Sequence, residues 1–134
     1  MNSTDPAEAT AAVMTQAGAT FQAILEILHR QTQQAGLLTA SYVIAAGAAA
    51  DGRDAVISAP AVSRAAPGPL PDLPMPGPDA GAEAIADAVA LVAGRLGEQL
   101  AAAAPAADDP QDRQALHSAS LAARRVHDYL AGTG

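Results

Sequence analysis

The sequence predicts an all-α protein, a bundle of three to four helices that includes one long proline-rich connection. Three observations lead to this prediction. Apolar residues recur at the 3.6-residue helical period in long stretches, most of the prolines cluster between two of those stretches, and no convincing strand alternation is present. A chain of 134 residues has the length of one domain, so we expect a single helical domain over residues 1–134.

The first helix is predicted over residues 6–35. Asp5 and Pro6 form a typical helix start, because the Asp side chain can accept a free amide and proline has no amide to satisfy. Apolar residues then follow at alternating steps of three and four, which is the spacing of a heptad seam. The residues of this seam are Met14, Ala17, Phe21, Ile24 and Leu28.

The second helical stretch, residues 37–50, is apolar on all sides, as a central buried helix would be. Gly36 either ends the first helix or kinks one continuous helix. The apolar phase continues across Gly36, which favours a continuous or merely kinked helix about 65 Å long. Residues 51–54, Asp-Gly-Arg-Asp, indicate a turn, and residues 55–59 are predicted as extended loop because they have no evident strand partner.

The connection over residues 60–78 holds seven of the ten prolines. Such a tract favours polyproline II and cannot form a helix, because proline lacks the amide hydrogen and clashes with the preceding turn. At about 3.1 Å per residue it can travel roughly 50 Å, enough to cross from one end of a bundle to the other. We expect a mobile linker or a strap along the helices, and Leu70, Leu73 and Met75 could instead dock in a partner's groove.

Two further helices are predicted over residues 80–104 and 110–131. The third helix has a narrow apolar seam with Ala and Gly at its flanks, and Pro105 ends it because proline disfavours helix in the preceding residue. The fourth helix begins at Pro110 with the same Asp-Pro device as the first. Gly132 is the glycine expected just after its last turn.

Composition excludes several classes of function. The chain has no Cys, so it has no disulfide framework, cysteine zinc site or cysteine nucleophile. Its formal net charge of -7 argues against nucleic-acid binding. The N-terminal residues lack the pattern of a Sec signal, and the longest uncharged stretch, residues 31–50, begins too polar to span a bilayer. We therefore expect a cytoplasmic protein with no membrane span.

The candidate ligand-binding residues are Tyr42, His117, Arg124 and His127. Tyr42 needs a partner for its hydroxyl in a buried helix, and with His127 on a neighbouring helix it could form the polar spot of a small-ligand pocket. His117, Arg124 and His127 belong to a basic cluster that could meet a phosphate, a carboxylate ligand or an acidic partner. The ordinary alternatives are a Tyr42 hydroxyl bonded to a backbone carbonyl, and cations that complement the helix dipole.

Catalytic motifs are absent from the sequence, and its three histidines lack the spacing of helical zinc or di-iron sites. We therefore assign no catalytic residue, metal or cofactor. The leading hypothesis is a non-enzymatic helical protein that works by assembly or partner binding. The alternative is a small-ligand-binding or catalytic bundle with an inter-helix pocket near Tyr42 and His127.

Most of the apolar side chains are too small to form the large core that a stable monomer needs. Of the residues counted as hydrophobic, 37 are Ala and only 30 are larger. Because burial contributes about 25 cal/mol per Å² of apolar surface, contacts between alanines contribute little to stability. A second copy could complete the narrow heptad seams, so we predict a homo-oligomer.

Overall fold

The structure is a computed structural model that describes residues 6–62, 71–77 and 79–131. Its four helices are α1 (Pro6–Gln31), α2 (Thr39–Ile57), α3 (Ala82–Ala103) and α4 (Pro110–Ala131). These helices pack against one another, and the described residues contain no β-strand. The predicted all-α bundle is therefore confirmed. The predicted cap residues Asp5 and Gly132, and Leu70 of the connection, lie outside the described residues.

The chain between α1 and α2 reverses direction, so the prediction of one continuous or kinked helix is wrong. Gly36 has a φ of 58°, a left-handed backbone conformation that glycine adopts without the steric cost that a side chain would impose. Two short 3₁₀ turns, Thr32–Gln34 and Gly36–Leu38, complete the reversal. As a result α2 packs back along α1, and the apolar residues of both helices enter one core.

The second helix continues to Ile57, so the predicted turn at residues 51–54 and the predicted loop at 55–59 are wrong for most of their length. Gly52 lies under the ring of Phe21, the only phenylalanine in the chain, which is fully buried. A Cβ atom at position 52 would lie 2.5 Å from Phe21 Cε1 and 2.8 Å from Cε2. Gly52 therefore makes room for a ring on the facing helix and does not form a turn.

Most of the core is made of small side chains. Among the described residues, 16 of the 29 buried hydrophobic residues are Ala. The larger seam residues predicted on α1, namely Met14, Phe21, Ile24 and Leu28, are fully buried within the single chain. The seams are therefore completed by the chain's own helices. The prediction that a second copy completes these seams is wrong, and any association must use a different surface.

The helices run up, down, down and up. α4 packs between α2 and α3, whereas α1 packs mainly on α2. Tyr42 at the start of α2 is hydrogen-bonded to Ala82 at the start of α3, so these two helices run parallel and the connection between them must return along the length of α2, about 28 Å. The described part of this connection, residues 71–77, forms a strap against α1. Leu73 and Met75 are half-buried there beside Ile27 of α1, which means that these two side chains pack on their own chain.

The two glycines of α2 provide a matched pair of substitutions. Gly52→Ala is expected to lower the free energy of unfolding by about 1–2 kcal/mol, because the clash with Phe21 exceeds the gain in helix propensity. Gly47→Ala should raise it by about 0.5–1 kcal/mol, because a Cβ atom there meets nothing within 4 Å. Urea unfolding followed by circular dichroism measures both changes. Shifts of the same sign would contradict the packing of Phe21 on Gly52.

Candidate functional site

Seven large apolar side chains are exposed among the described residues: Leu37, Val43, Ile44, Ile57, Leu91, Leu121 and Tyr129. Leu91 is the only one of these residues on α3, and Leu121 and Tyr129 lie about two turns apart on α4. Asp87 and Arg95 lie one turn on either side of Leu91, and Leu121 has Arg125 one turn away. Single exposed apolar residues of this kind are normal on a protein surface and carry no functional inference.

The exposed residues near the start of α2 are different, because they form a continuous surface, which we call the α2 face: Leu37, Ala40, Val43, Ile44 and Gly47. Ala40 and Gly47 each lie three or four residues from Val43 and Ile44, and Leu37 lies three residues before Ala40, so these residues share one side of the chain. No residue between positions 31 and 50 is charged. The α2 face is therefore an uncharged, apolar surface on an acidic chain, and the nearest acid along α2, Asp51, lies one turn beyond Gly47.

An open groove of about 530 Å³ runs beside the protruding side chains of the α2 face. It lies where the end of α1 meets α2, and its lining consists of His29, Thr32, Gln33, Val43, Ala46 and Gly47. Gly47 contributes open space to this groove, since no atom lies within 4 Å of the position that its Cβ would occupy. The same side of the molecule thus offers both protruding apolar side chains and a groove.

Sequence reasoning missed the α2 face, because the prediction that residues 37–50 are buried on all sides is wrong. Val43 is 56% exposed and Ile44 is 49% exposed. The helix is apolar all round, so its sequence gives no direction for the buried side. The uncharged run in an acidic chain was the available signal, and it indicates a surface that is free of charge without showing which residues are exposed.

The predicted ligand-binding residues lie in three different places. Arg124 and His127 line a groove between α3 and α4, together with Glu98 and Asp128. His117 lines a separate groove at the turn between α3 and α4.

Tyr42 lies fully buried at the start of α2, where its hydroxyl donates a 2.7 Å hydrogen bond to the carbonyl of Ala82. This backbone carbonyl is the ordinary partner that the sequence left open as an alternative.

The groove between α3 and α4 has a packing role that accounts for its residues. His127 Nδ1 lies 2.9 Å from the Ala90 carbonyl, which can only accept, so Nδ1–H donates. Ser120 Oγ donates to the carbonyl of Gly97 over 3.0 Å. A Cβ at Gly94 would lie 3.2 Å from the His127 ring, so small residues on α3 allow α4 to approach closely.

Two buried side chains fix the ends of the connection between α2 and α3. Asp112 of α4 accepts a 3.2 Å hydrogen bond from the amide of Ala61, just after α2, and is only 8% exposed. Tyr42 binds Ala82 at the start of α3.

Burial raises the pKa of the Tyr42 phenol above its ordinary value of about 10, because the charged form would lose its water.

The described residues hold no cluster of three or more His, Asp or Glu that is placed to bind a metal ion. Within the same part of the chain, one stretch, Glu8–Gln34, is long and apolar enough to cross a membrane by length and composition. Half of its most apolar window is buried inside the bundle, as in the core helix of many soluble proteins.

Comparisons with protein families, with curated proteins and with solved structures found no match to this chain.

The hydrogen bond of Tyr42 gives a pH-dependent prediction. The folded state holds the phenol proton more tightly than the unfolded chain does. The stability that the protonated, hydrogen-bonded Tyr42 contributes is therefore complete below about pH 10 and is lost as the pH rises further. Tyr42→Phe should cost about 1 kcal/mol of unfolding free energy near neutral pH. It should also reduce the fall in stability between about pH 9 and pH 11.

The matched control for this prediction is Tyr129→Phe, since Tyr129 is 41% exposed. Urea unfolding of the unsubstituted chain, Tyr42→Phe and Tyr129→Phe at about pH 9 and about pH 11 measures the alkaline loss of stability. An alkaline loss of stability that is the same in Tyr42→Phe and in the unsubstituted chain would contradict a buried, hydrogen-bonded Tyr42.

Proposed function

We propose that this protein is non-enzymatic and acts by binding another protein surface through the α2 face, in an assembly or with a distinct partner. One observation carries the proposal. The α2 face places large apolar side chains, Val43 and Ile44 among them, in solvent within a 20-residue run that has no charge. Contiguous exposed apolar surface is a common mark of protein interaction sites.

The absence of charge favours protein binding because charged groups are costly to remove from water. A partner that covers the α2 face removes apolar area from water and desolvates no charged side chain of the uncharged run. Each Å² of apolar surface covered contributes about 25 cal/mol before the cost of association. The isolated Leu91 and Leu121 offer no such surface, because charged residues lie one helical turn away.

The alternative, a small-ligand or catalytic pocket near Tyr42 and His127, has less support. The Tyr42 hydroxyl is bonded to Ala82 and His127 Nδ1 is bonded to Ala90, both of them backbone carbonyls. Polar groups held in this way have their hydrogen bonds satisfied within the chain. Binding through the α2 face is the function that the exposed surface supports best.

Photo-crosslinking in the cells that naturally produce the protein tests this function. A photoreactive phenylalanine analogue at Ala40, which is exposed at the edge of the α2 face, should give one discrete protein adduct. The same analogue at Leu121, which is similarly apolar and exposed, should give none. Adding Val43→Asp to the Ala40 variant should abolish the adduct, because it places a charge in the covered surface.

Circular dichroism of each variant serves as the control for folding. Equal crosslinking from positions 40 and 121, or an adduct that survives Val43→Asp in a folded protein, would contradict binding through the α2 face.

A further inference from the structure

We infer that the partner of the α2 face is the α2 face of a second copy, and that the two copies form an antiparallel, two-fold symmetric dimer. This inference rests on the proposed function and names its partner. Three features of the described residues support a second copy: the distribution of charge, the presence of a protrusion and a groove on one side, and the position of the acids along α2.

The first feature is charge. Each chain carries a formal net charge of -7, so two copies repel each other over most approaches. Repulsion between exposed charges fades beyond about 8–10 Å at physiological salt, which leaves an uncharged surface free to meet another such surface. The α2 face lies within the uncharged residues 31–50, and it is therefore a surface through which two acidic copies can meet.

The second feature is self-complementarity. A two-fold interface uses the same patch on both subunits, so that patch must contain both a protrusion and a place to receive one. Val43 and Ile44 protrude from α2, and the groove that includes Gly47 lies directly beside them. Side chains of one copy can thus enter the groove of the other, in the manner of knobs that pack into holes between helices.

The third feature sets the orientation. In a parallel pair of α2 helices, Asp51 would face Asp51 and Asp54 would face Asp54, all four side chains being exposed. In an antiparallel pair centred on Ile44, the two Asp51 residues lie about 21 Å apart along the helix axis. Each acidic end then faces the partner's turn between α1 and α2, residues 31–38, which has no charged side chain.

The size of the α2 face predicts a weak dimer. The α2 face extends from residue 37 to residue 47, about 15 Å along the helix axis, and one helix is about 10 Å wide. A face of these dimensions covers roughly 150 Å², well below the roughly 800 Å² per partner that is typical of stable complexes. We expect dimers at about 100 µM chain and mostly monomers at about 1 µM.

Single-cysteine variants test the dimer directly, because the chain contains no cysteine of its own. Ile44→Cys places the two thiols at the two-fold axis, and Leu121→Cys is the matched control, with 50% exposure against 49%. At about 100 µM under mild oxidation, Ile44→Cys should form the covalent dimer at least about tenfold faster than Leu121→Cys, because pairing raises the local thiol concentration.

Ala40→Cys tests the orientation. In the antiparallel dimer the two Ala40 residues lie about 12 Å apart along the axis. This distance exceeds the roughly 7 Å limit between Cα atoms for a disulfide. Ala40→Cys should therefore crosslink no faster than Leu121→Cys. Crosslinking as fast as that of Ile44→Cys would overturn the antiparallel arrangement.

Sedimentation equilibrium measures dimerisation without an introduced cysteine. Gly47→Glu keeps the fold, because a Cβ there meets no atom within 4 Å, but it fills the groove and adds a charge. The unsubstituted chain and Leu121→Glu should dimerise at about 100 µM, whereas Gly47→Glu should remain monomeric with unchanged circular dichroism. A monomeric unsubstituted chain, or a dimer that Gly47→Glu leaves intact, would overturn the inference.

These results separate the inference from the function on which it rests. If the purified chain is monomeric and Ile44→Cys does not crosslink selectively, while the adduct from position 40 in cells contains a different protein, the second copy is wrong and partner binding stands. If the adduct in cells is also absent, both are wrong.

Discussion

The reversal of the chain at Gly36 is the constraint on which the rest of the molecule depends. A positive φ at this residue turns residues 6–57 into a hairpin of two helices in place of one long rod. The hairpin brings Phe21 over Gly52 and forms one half of the core. It also exposes Leu37 at the turn and forms the groove between α1 and α2. The candidate site is therefore a product of the same reversal that builds the core.

The hairpin also sets the requirement for the proline-rich connection. With α2 and α3 parallel, the chain must travel back along the bundle before α3 begins. Asp112 holds the chain just after α2, and Tyr42 holds the first residue of α3. Between these two points, residues 71–77 pack on α1 through Leu73 and Met75. Two buried polar side chains thus hold the two ends of the connection, and its residues 71–77 form a half-buried strap without helical structure.

Local signals explain the part of the fold that the sequence predicts well. α4 has the predicted bounds. At the start of α4 the side chain of Asp109 accepts a 2.7 Å hydrogen bond from the amide of Gln111, as an N-terminal cap would. The seam of α1 is buried because its spacing fits one face of a helix. These features depend on neighbours within one or two turns.

The features that the sequence could not predict depend on tertiary partners. The apolar phase at Gly36 is the same for a kinked helix and for a hairpin, so periodicity alone does not choose between them. Gly52 resembles a turn residue until Phe21 is placed over it. Tyr42 and His127 each needed a hydrogen-bond partner, and only the packing shows that the two partners are different backbone carbonyls. The α2 face could not be assigned because a uniformly apolar helix does not indicate its buried side.

Self-association through the α2 face is the central claim, and amide hydrogen exchange of the unsubstituted chain at about 1 µM and about 100 µM tests it most directly. The predicted result is slower exchange at the higher concentration in peptides that cover residues 31–50, with no change in peptides around Leu91 and Leu121. Exchange that does not depend on concentration at residues 31–50, or protection confined to α3 and α4, would contradict the claim.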